Sequence, residues 1–208
     1  MFSKNILNKL TQYLYTMTDI MINAPAMGAV MGAILPSILS FSGVYIGERG
    51  VNYYAEVHTK PLNSYCHTIG MPFTIYGMLL WIPMVFGNSY NDYKNIQSFL
   101  YVFYMTHYFL IDYTIGGAVA VVYSVPLYYS NLQIDQIFKN LVLYKTNYKS
   151  INNYYRVNLF IKGLMISTAA LVFQEIFGHW LSGDPASRWE GVPNAILYAM
   201  YYSVSHLF

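Results

Sequence analysis

Residues 54–72 read Y-A-E-V-H-T-K-P-L-N-S-Y-C-H-T-I-G-M-P, and they place two histidines beside the start of an apolar run. His58 and His67 stand on either side of residues 61–63, a stretch that Pro61 marks as a turn. The apolar run begins at Ile69, so we expect both imidazoles at the mouth of a membrane span. Two histidines alone are a weak signal, and a site requires further ligands from elsewhere in the chain.

The composition is that of a lipid-embedded protein. Of the 208 residues, 56% are hydrophobic and only 10% are charged, whereas soluble domains carry about 25% charged residues. Several apolar runs approach the roughly 20 residues that a membrane helix needs. Since helices pair every backbone amide within their own segment, the sequence predicts an all-α, polytopic transmembrane helical bundle of about five to six spans.

The apolar runs give the expected order of these spans. A helical repeat of Leu7, Leu10 and Leu14 predicts a retained amphipathic helix at the N-terminus. Gly28 and Gly32, four residues apart, predict close packing of the first span against another helix. The predicted spans cover residues 24–47, 68–86, two spans within 98–130 that meet near 112–117, 157–177 and 192–208.

Charge and cysteine content exclude several functions. The formal net charge of +2 is too small to indicate nucleic acid or an acidic substrate. Cys66 is the single cysteine, which excludes an internal disulfide and a thiolate metal cluster. Residues 131–158 hold an excess of basic side chains over one acid, so we expect a polar loop on the cytoplasmic or matrix side.

A second group of polar residues lies far along the chain, at 174–179, and another histidine, His206, stands near the end. Glu175 and His179 are four residues apart, so an α-helix would present both from one face to a metal ion. The alternative is an ordinary hydrogen bond between a Glu and a His at a helix end. Ionisable groups beside membrane spans are costly, which favours a function for both.

Together, His58, His67 and His179 predict a metal site, with His206 as a candidate fourth ligand. We expect Tyr54, Asn63 and Glu175 to support these ligands through hydrogen bonds. Sites without thiolate suit iron(II), zinc or manganese. Iron(II) with open positions binds dioxygen and zinc activates water, and the spacing does not separate the two.

Two other ionisable features have simpler interpretations. His107 lies within an apolar stretch, and we interpret it as structural. Asp184 and Arg188 are four residues apart and predict a salt bridge in a loop or at a helix cap.

Three motifs carry a family resemblance. They are Y-x-x-x-H at 54–58, P-L-N-x-x-x-H-x-x-G-x-P at 61–72 and Q-x-x-x-G-H at 174–179. The chain resembles the yeast-type 2-hydroxy fatty acid dioxygenases, which are small multi-span membrane proteins. The resemblance covers residues 54–208 and implies an endoplasmic reticulum enzyme that uses iron(II) and dioxygen to shorten a long-chain 2-hydroxy fatty acid by one carbon. It also implies that His58, His67 and His179 are iron ligands and that His206 is a candidate fourth.

The chain departs from the family pattern in ways that suggest a second hypothesis. The family commonly places a Glu four residues after its Gly-His pair, where this chain has Gly183 followed by Asp184. We interpret residues 1–50 as an added amphipathic helix and membrane span, and residues 51–208 as the dioxygenase-like domain. The alternative function is therefore an accessory structural subunit, in contact with membrane lipids and other subunits of a larger assembly such as a mitochondrial inner-membrane respiratory complex.

Overall fold

The described part of the chain is helical and contains no strand. The computed structural model describes residues 23–40, 44–143, 148–185 and 192–207. The predicted amphipathic helix at the N-terminus lies outside these residues. Seven helices follow one another in the described part: α1 (Ala24–Ser40), α2 (Gly47–Ala55), α3 (Pro61–Phe86), α4 (Tyr90–Ile111), α5 (Tyr113–Leu143), α6 (Tyr148–Phe173) and α7 (Val192–Ser205). A π-helical segment, Gln174–Trp180, directly continues α6.

Helix α3 begins earlier than the sequence suggested. Pro61 occupies the first turn of the helix, so residues 61–63 are helical and are not a turn. Proline is favoured there because the first helical N–H groups have no partner within the helix. As a result, His67 lies inside a continuous helix, and His58 lies in the short connection that precedes it.

The long apolar stretch divides at Asp112, as predicted. This residue has an extended backbone conformation that ends α4, and its Oδ1 accepts hydrogen bonds from the backbone N–H groups of Thr114 (2.7 Å) and Ile115 (2.9 Å). Asp112 therefore caps the N-terminus of α5. Gly116 allows the two helices to turn tightly, since a Cβ atom there would lie 2.8 Å from the backbone nitrogen of Phe109.

Glycines bring two helix pairs into close contact. Gly28 and Gly32 of α1 lie against the backbone of Phe99 and Phe103 in α4, which confirms the predicted packing role of the small residues. Gly77 of α3 and Gly163 of α6 meet backbone to backbone, because a Cβ atom at either position would lie 2.6 Å from the carbonyl oxygen of the other. The pairing of α3 with α6 brings the helix that contains His67 next to the helix that leads to His179.

The predicted polar loop at residues 131–158 is wrong for residues 131–143 and 148–158, which are helical; residues 144–147 lie outside the described residues. Helix α5 continues through Leu143, and α6 starts at Tyr148. Ile134 and Phe138, four residues apart, pack on Leu80 and Tyr93, so an apolar stripe extends the helix through a stretch that its charges alone assign to a loop.

Helix α7 lies in the interior of the bundle. Its residues from Leu197 to Val204 are buried, and its carbonyl and hydroxyl groups receive hydrogen bonds from Tyr108 and contact Tyr123. It contains 14 residues and is therefore about 21 Å long, which is shorter than a hydrocarbon core of about 30 Å.

Two of the described segments are long and apolar enough to cross a membrane. They are Pro61–Phe86 and Asn153–Trp180. In the second segment only 28% of the most apolar window is buried inside the bundle, so most of its apolar surface faces outward. The all-helical class is confirmed, whereas a count of five to six spans stays a prediction.

Candidate metal centre

Three histidines from separate segments meet in the interior. His58 comes from the connection between α2 and α3, His67 from α3 and His179 from the π-helical segment, and all three are buried. One ring nitrogen of each lies within 4.8 Å of those of the other two. The Nε2 atoms of His58 and His67 are 3.1 Å apart, and those of His67 and His179 are 3.4 Å apart. The predicted convergence of these imidazoles is confirmed.

The opposite ring nitrogens of two histidines face backbone carbonyl groups. Nδ1 of His58 lies 2.6 Å from the carbonyl oxygen of Tyr54, and Nδ1 of His179 lies 2.7 Å from that of Pro185. A carbonyl oxygen only accepts, so both Nδ1 atoms carry a proton and donate it. In the neutral rings the Nε2 atoms then carry lone pairs, which is the arrangement found in metal-binding histidines.

His58 stays neutral near pH 7. Burial lowers the pKa of His58 to about 4, although its hydrogen bond to the Tyr54 carbonyl acts in the opposite direction. A neutral imidazole is the form that binds a metal ion.

The three Nε2 atoms cannot all be satisfied by one another. His58 and His179 present lone pairs, and His67, which lies between them, has at most one Nε2 proton to donate. In at least one pair, the two nitrogens therefore face each other with no hydrogen atom between them, and their lone pairs repel. A bound cation would remove this repulsion. Metal–nitrogen bonds of about 2.0–2.1 Å would place ligand nitrogens about 2.9 Å apart at right angles and about 3.4 Å apart in a tetrahedron. The separations of 3.1 Å between His58 and His67 and of 3.4 Å between His67 and His179 fit this range.

Asp184 secures the segment that follows His179. Its carboxylate accepts hydrogen bonds from the hydroxyl of Thr59 (2.6 Å), the backbone N–H of Lys60 (3.0 Å) and the amide of Asn63 (2.9 Å). Burial alone would raise the pKa of Asp184, but these donors outweigh it and hold the pKa below its ordinary value. The next residue is Pro185, whose carbonyl orients His179, so Asp184 connects that ligand to the start of α3.

Asn63 lies behind the site. Besides Asp184, its Nδ2 donates to the carbonyl oxygen of Val57 at 3.3 Å. It also lies 3.4 Å from Nδ1 of His179, but both of these nitrogens are donors, so the contact is packing and not a hydrogen bond. A Cβ atom on Gly178 would lie 2.6 Å from Oδ1 of Asn63. The glycine is therefore required for the close approach of the two segments.

Tyr54 contacts two of the three histidines. Its ring stacks on His58 with centroids 4.2 Å apart, and its hydroxyl lies 3.5 Å from Nδ1 of His67. Burial raises the pKa of Tyr54, so the hydroxyl keeps its proton at neutral pH. Tyr202 supports the same region by donating a hydrogen bond to the backbone carbonyl of His58 at 2.8 Å.

No known family model, curated protein or solved structure matches this chain. The resemblance to the dioxygenase family therefore stays a prediction, and the arguments for function come from the geometry of the site.

His206 does not join the three histidines. Its Nε2 lies 2.9 Å from the hydroxyl of Thr68, and its Nδ1 lies 2.9 Å from the carbonyl oxygen of Tyr202. Helix α7 ends at Ser205, and this places the His206 ring next to Thr68, beside the cluster but outside it. Among the described residues, the group that could hold a metal consists of His58, His67 and His179.

Glu175 is also placed differently from the sequence interpretation. That interpretation assumed an α-helix, in which residues four apart share a face. In the π-helical segment, hydrogen bonds connect residues five apart, as in the bond from Leu181 to Ile176. Gln174, five residues before His179, is consequently buried with it, whereas Glu175 is exposed.

Sequence reasoning also missed Asp184 as a part of the site. Its predicted partner, Arg188, lies outside the described residues, and Asp184 instead contacts residues more than 120 positions earlier. A spacing of four along the chain gives no signal for such a contact. The one indication in the sequence was that Asp184 comes directly after Gly183, the position where the dioxygenase family commonly has a Glu.

Proposed function

We propose that this protein is a membrane-embedded, metal-dependent enzyme whose divalent metal is held by His58, His67 and His179. The observation that carries the proposal is that three Nε2 atoms lie close together with at most one proton among them. They cannot all form hydrogen bonds with one another. Three protein ligands leave coordination positions open for water, dioxygen or substrate, which is typical of catalytic and not of structural metal sites.

The family resemblance favours iron(II) and a long-chain 2-hydroxy fatty acid substrate, with zinc as the alternative metal. Iron(II) with open positions would supply the capacity to activate dioxygen beside a chelating carboxylate and hydroxyl group. The chain itself contributes oriented imidazoles, a buried site that restricts water, and Tyr54 as a protonated hydroxyl next to two ligands.

The surface of the bundle suits a substrate that arrives from the bilayer. Exposed apolar side chains follow both candidate spans; in α3 they include Ile69 and Phe73, close to His67 in the sequence. An apolar cavity of about 90 Å³ lies among α3, α4, α5 and α7, and Ile75 and Met78 line it from α3. Met78 follows His67 by 11 residues, about three helical turns, so both lie on a similar face of α3. An acyl chain whose polar head binds the metal would extend in this direction.

Metal analysis and product analysis of the purified full chain test the proposal. In mild detergent, the protein reconstituted anaerobically with iron(II) should hold about one equivalent. After dioxygen is admitted, it should convert a 2-hydroxy fatty acid to the acid that is one carbon shorter, with release of carbon dioxide and water. His58→Ala, His67→Ala and His179→Ala should each lose the metal, whereas His206→Gln should retain it. A wild-type chain that binds no divalent metal would remove the basis of the proposal.

The accessory-subunit hypothesis is favoured by one observation on α1. This helix packs on α4 through its glycines, and its opposite side exposes Val30, Ile34 and Ile38. Lipid or a neighbouring subunit could cover that side, in the endoplasmic reticulum or in the mitochondrial inner membrane. Native electrophoresis after mild solubilisation separates the two: a stoichiometric partner supports the subunit role, and migration as a single chain or homodimer contradicts it. The two functions are compatible, because a subunit can keep its metal.

A further inference from the structure

His67 differs from the other two histidines in the partner of its outer nitrogen. His58 and His179 each direct Nδ1 to a backbone carbonyl, but Nδ1 of His67 has the Tyr54 hydroxyl at 3.5 Å, the outer limit of a hydrogen bond. A hydroxyl can donate or accept, so this contact does not fix which nitrogen of His67 carries the proton. For metal binding the proton must be on Nδ1.

Gln174 places an unused acceptor beside this ring. Its Nε2 donates to the hydroxyl of Thr74 at 2.9 Å and to the carbonyl oxygen of Ala170 at 3.0 Å. The Ala170 carbonyl only accepts, and this fixes which end of the amide is nitrogen. The opposite atom, Oε1, is buried without a hydrogen-bond partner in this arrangement, although the Gln174 side chain interacts with His67.

The space for this contact is built into α3. Gly70 lies one turn after His67, and a Cβ atom at that position would lie 2.6 Å from Cγ of Gln174. Gln174 itself is 1% exposed. A buried amide oxygen without a partner is costly, so its persistence beside a metal ligand points to a partner that forms in another state of the site.

We propose that Gln174 is the positioning residue of His67, and that its Oε1 accepts the Nδ1 proton of His67 when a metal binds at Nε2. Without metal, Nε2 of His67 carries the proton and donates it to His58 at 3.1 Å, while Nδ1 accepts from Tyr54. Metal binding then moves the imidazole to its other neutral tautomer, with the proton on Nδ1 and no net proton released from this ring. The inference rests on the proposed metal centre. It assigns the hydrogen-bond partner of Nδ1 in the third histidine, His67.

Cobalt(II) titration of the purified full chain in detergent tests this assignment. Gln174→Met keeps the shape of the side chain but removes the acceptor, and should weaken cobalt binding by about 10- to 100-fold. Gln174→Glu restores an acceptor and should recover most of the affinity. Gln97→Met is the matched control, because Gln97 is another buried glutamine, whose Nε2 donates to the Leu79 carbonyl away from the three histidines, and it should stay within about threefold of wild type. Nitrogen-15 NMR of the zinc-loaded protein should show the His67 proton on Nδ1.

Each outcome has a defined meaning. Wild-type affinity in Gln174→Met, or an equal loss in Gln97→Met, would overturn the inference and leave the metal centre intact. A wild-type chain that binds no cobalt would overturn both. If Gln174→Met does not fold, Thr74→Val removes the hydroxyl that holds the amide and should weaken binding several-fold, with recovery in Thr74→Ser. Unchanged affinity in Thr74→Val would then refute the assignment.

Discussion

Asp184 lies where three donors from the start of α3 converge, and it precedes the carbonyl that orients His179. Asp184→Asn replaces one carboxylate oxygen with an NH₂ group, which would face a donor instead of accepting from it. We expect a loss of about 1–3 kcal/mol in the free energy of unfolding and a weakening of metal binding by about tenfold. Chemical unfolding and metal titration measure the two effects.

Asp135→Asn is the matched control for this change. Asp135 is a partly exposed carboxylate paired with Lys94 at 2.8 Å, in α5 and outside the metal site. It should leave metal affinity unchanged and cost less than about 1 kcal/mol. Equal metal affinities for the two variants would show that Asp184 does not position the ligand.

Gly178 has no room for a side chain, because a Cβ atom would press on Asn63. Gly178→Ala should therefore separate α3 from the π-helical segment and weaken metal binding at least tenfold. Gly117 provides the control, since a Cβ atom there meets nothing closer than 3.9 Å. Gly117→Ala should bind metal normally and gain up to about 1 kcal/mol of stability. Metal titration of both variants decides the point, and a normal Gly178→Ala variant would contradict the packing argument.

The buried His58 should make the metal-free protein sensitive to acid. Its pKa is about 4 in the folded chain and about 6.5 when exposed. Between these values the unfolded chain binds a proton at His58 that the folded chain does not bind. The contribution of neutral His58 to stability is therefore fully present above pH 6.5 and is lost as the pH falls through 4. The loss amounts to about 3 kcal/mol.

Unfolding midpoints measured from pH 7 to pH 4 in the presence of a chelator test this expectation. His58→Gln removes this ring and should reduce the loss of stability in that window by about 3 kcal/mol. Superimposable profiles for the two proteins would show that His58 does not cause the acid sensitivity.

The sequence predicted the three clustered histidines and named Tyr54 and Asn63 beside them, but it did not predict the contacts of Gln174 and Asp184. Imidazoles next to apolar runs are unusual enough to be noticed, and their residue type alone indicates the chemistry. Gln174 is buried with His179 because of the five-residue spacing of the π-helical segment. Asp184 contacts a residue more than 120 positions earlier. Neither arrangement follows from local periodicity. The sequence left His206 as a candidate fourth ligand, because the position of its ring depends on where α7 ends.

At the scale of elements, the π-helical segment sets the register of the site. It places Gln174 and His179 on the same buried side, whereas an α-helix would turn one of them away by more than 100°. Inserting one Ala after Ile176, which is exposed, would leave Gln174 and His179 six residues apart, a spacing that an α-helix turns to different sides. We expect loss of metal binding with little change in helix content, measured by metal titration and circular dichroism.

Ile176→Ala is the control for this insertion, because it changes a side chain at the same place and preserves the number of residues. It should bind metal with wild-type affinity. Metal binding by the insertion variant would show that the spacing between Gln174 and His179 does not set the register of the site.

Helix boundaries followed the sequence where a single residue defines them. Asp112 ends one helix and caps the next, so the break within residues 98–130 could be predicted. The helix at residues 131–143 could not, because its charges indicated a loop while Ile134 and Phe138 continued an apolar stripe. Packing against α3 and α4 decides between these two signals, and a single sequence does not contain that information.

At the scale of the whole molecule, the outward apolar surface indicates contact with lipid. Met165 is 66% exposed near the middle of Asn153–Trp180. Met165→Lys should cost about 2.5–3.5 kcal/mol of membrane insertion and reduce the fraction that resists alkaline extraction. Tyr154→Lys is the control, because Tyr154 is similarly exposed but lies at the end of the segment. Equal extraction of both variants would contradict a membrane-spanning role for this segment.

The close backbone contact between Gly77 and Gly163 has a consequence for biogenesis. His58 and His67 emerge early during synthesis, while His179 emerges more than 100 residues later. The proposed binding site is therefore incomplete until the π-helical segment that follows α6 packs against α3. In the proposed metal centre, an ion would therefore bind only after α3 and α6 have packed together. Two fragments divided between residues 143 and 148 and produced in the same cell should regain the ion together, and neither should do so alone.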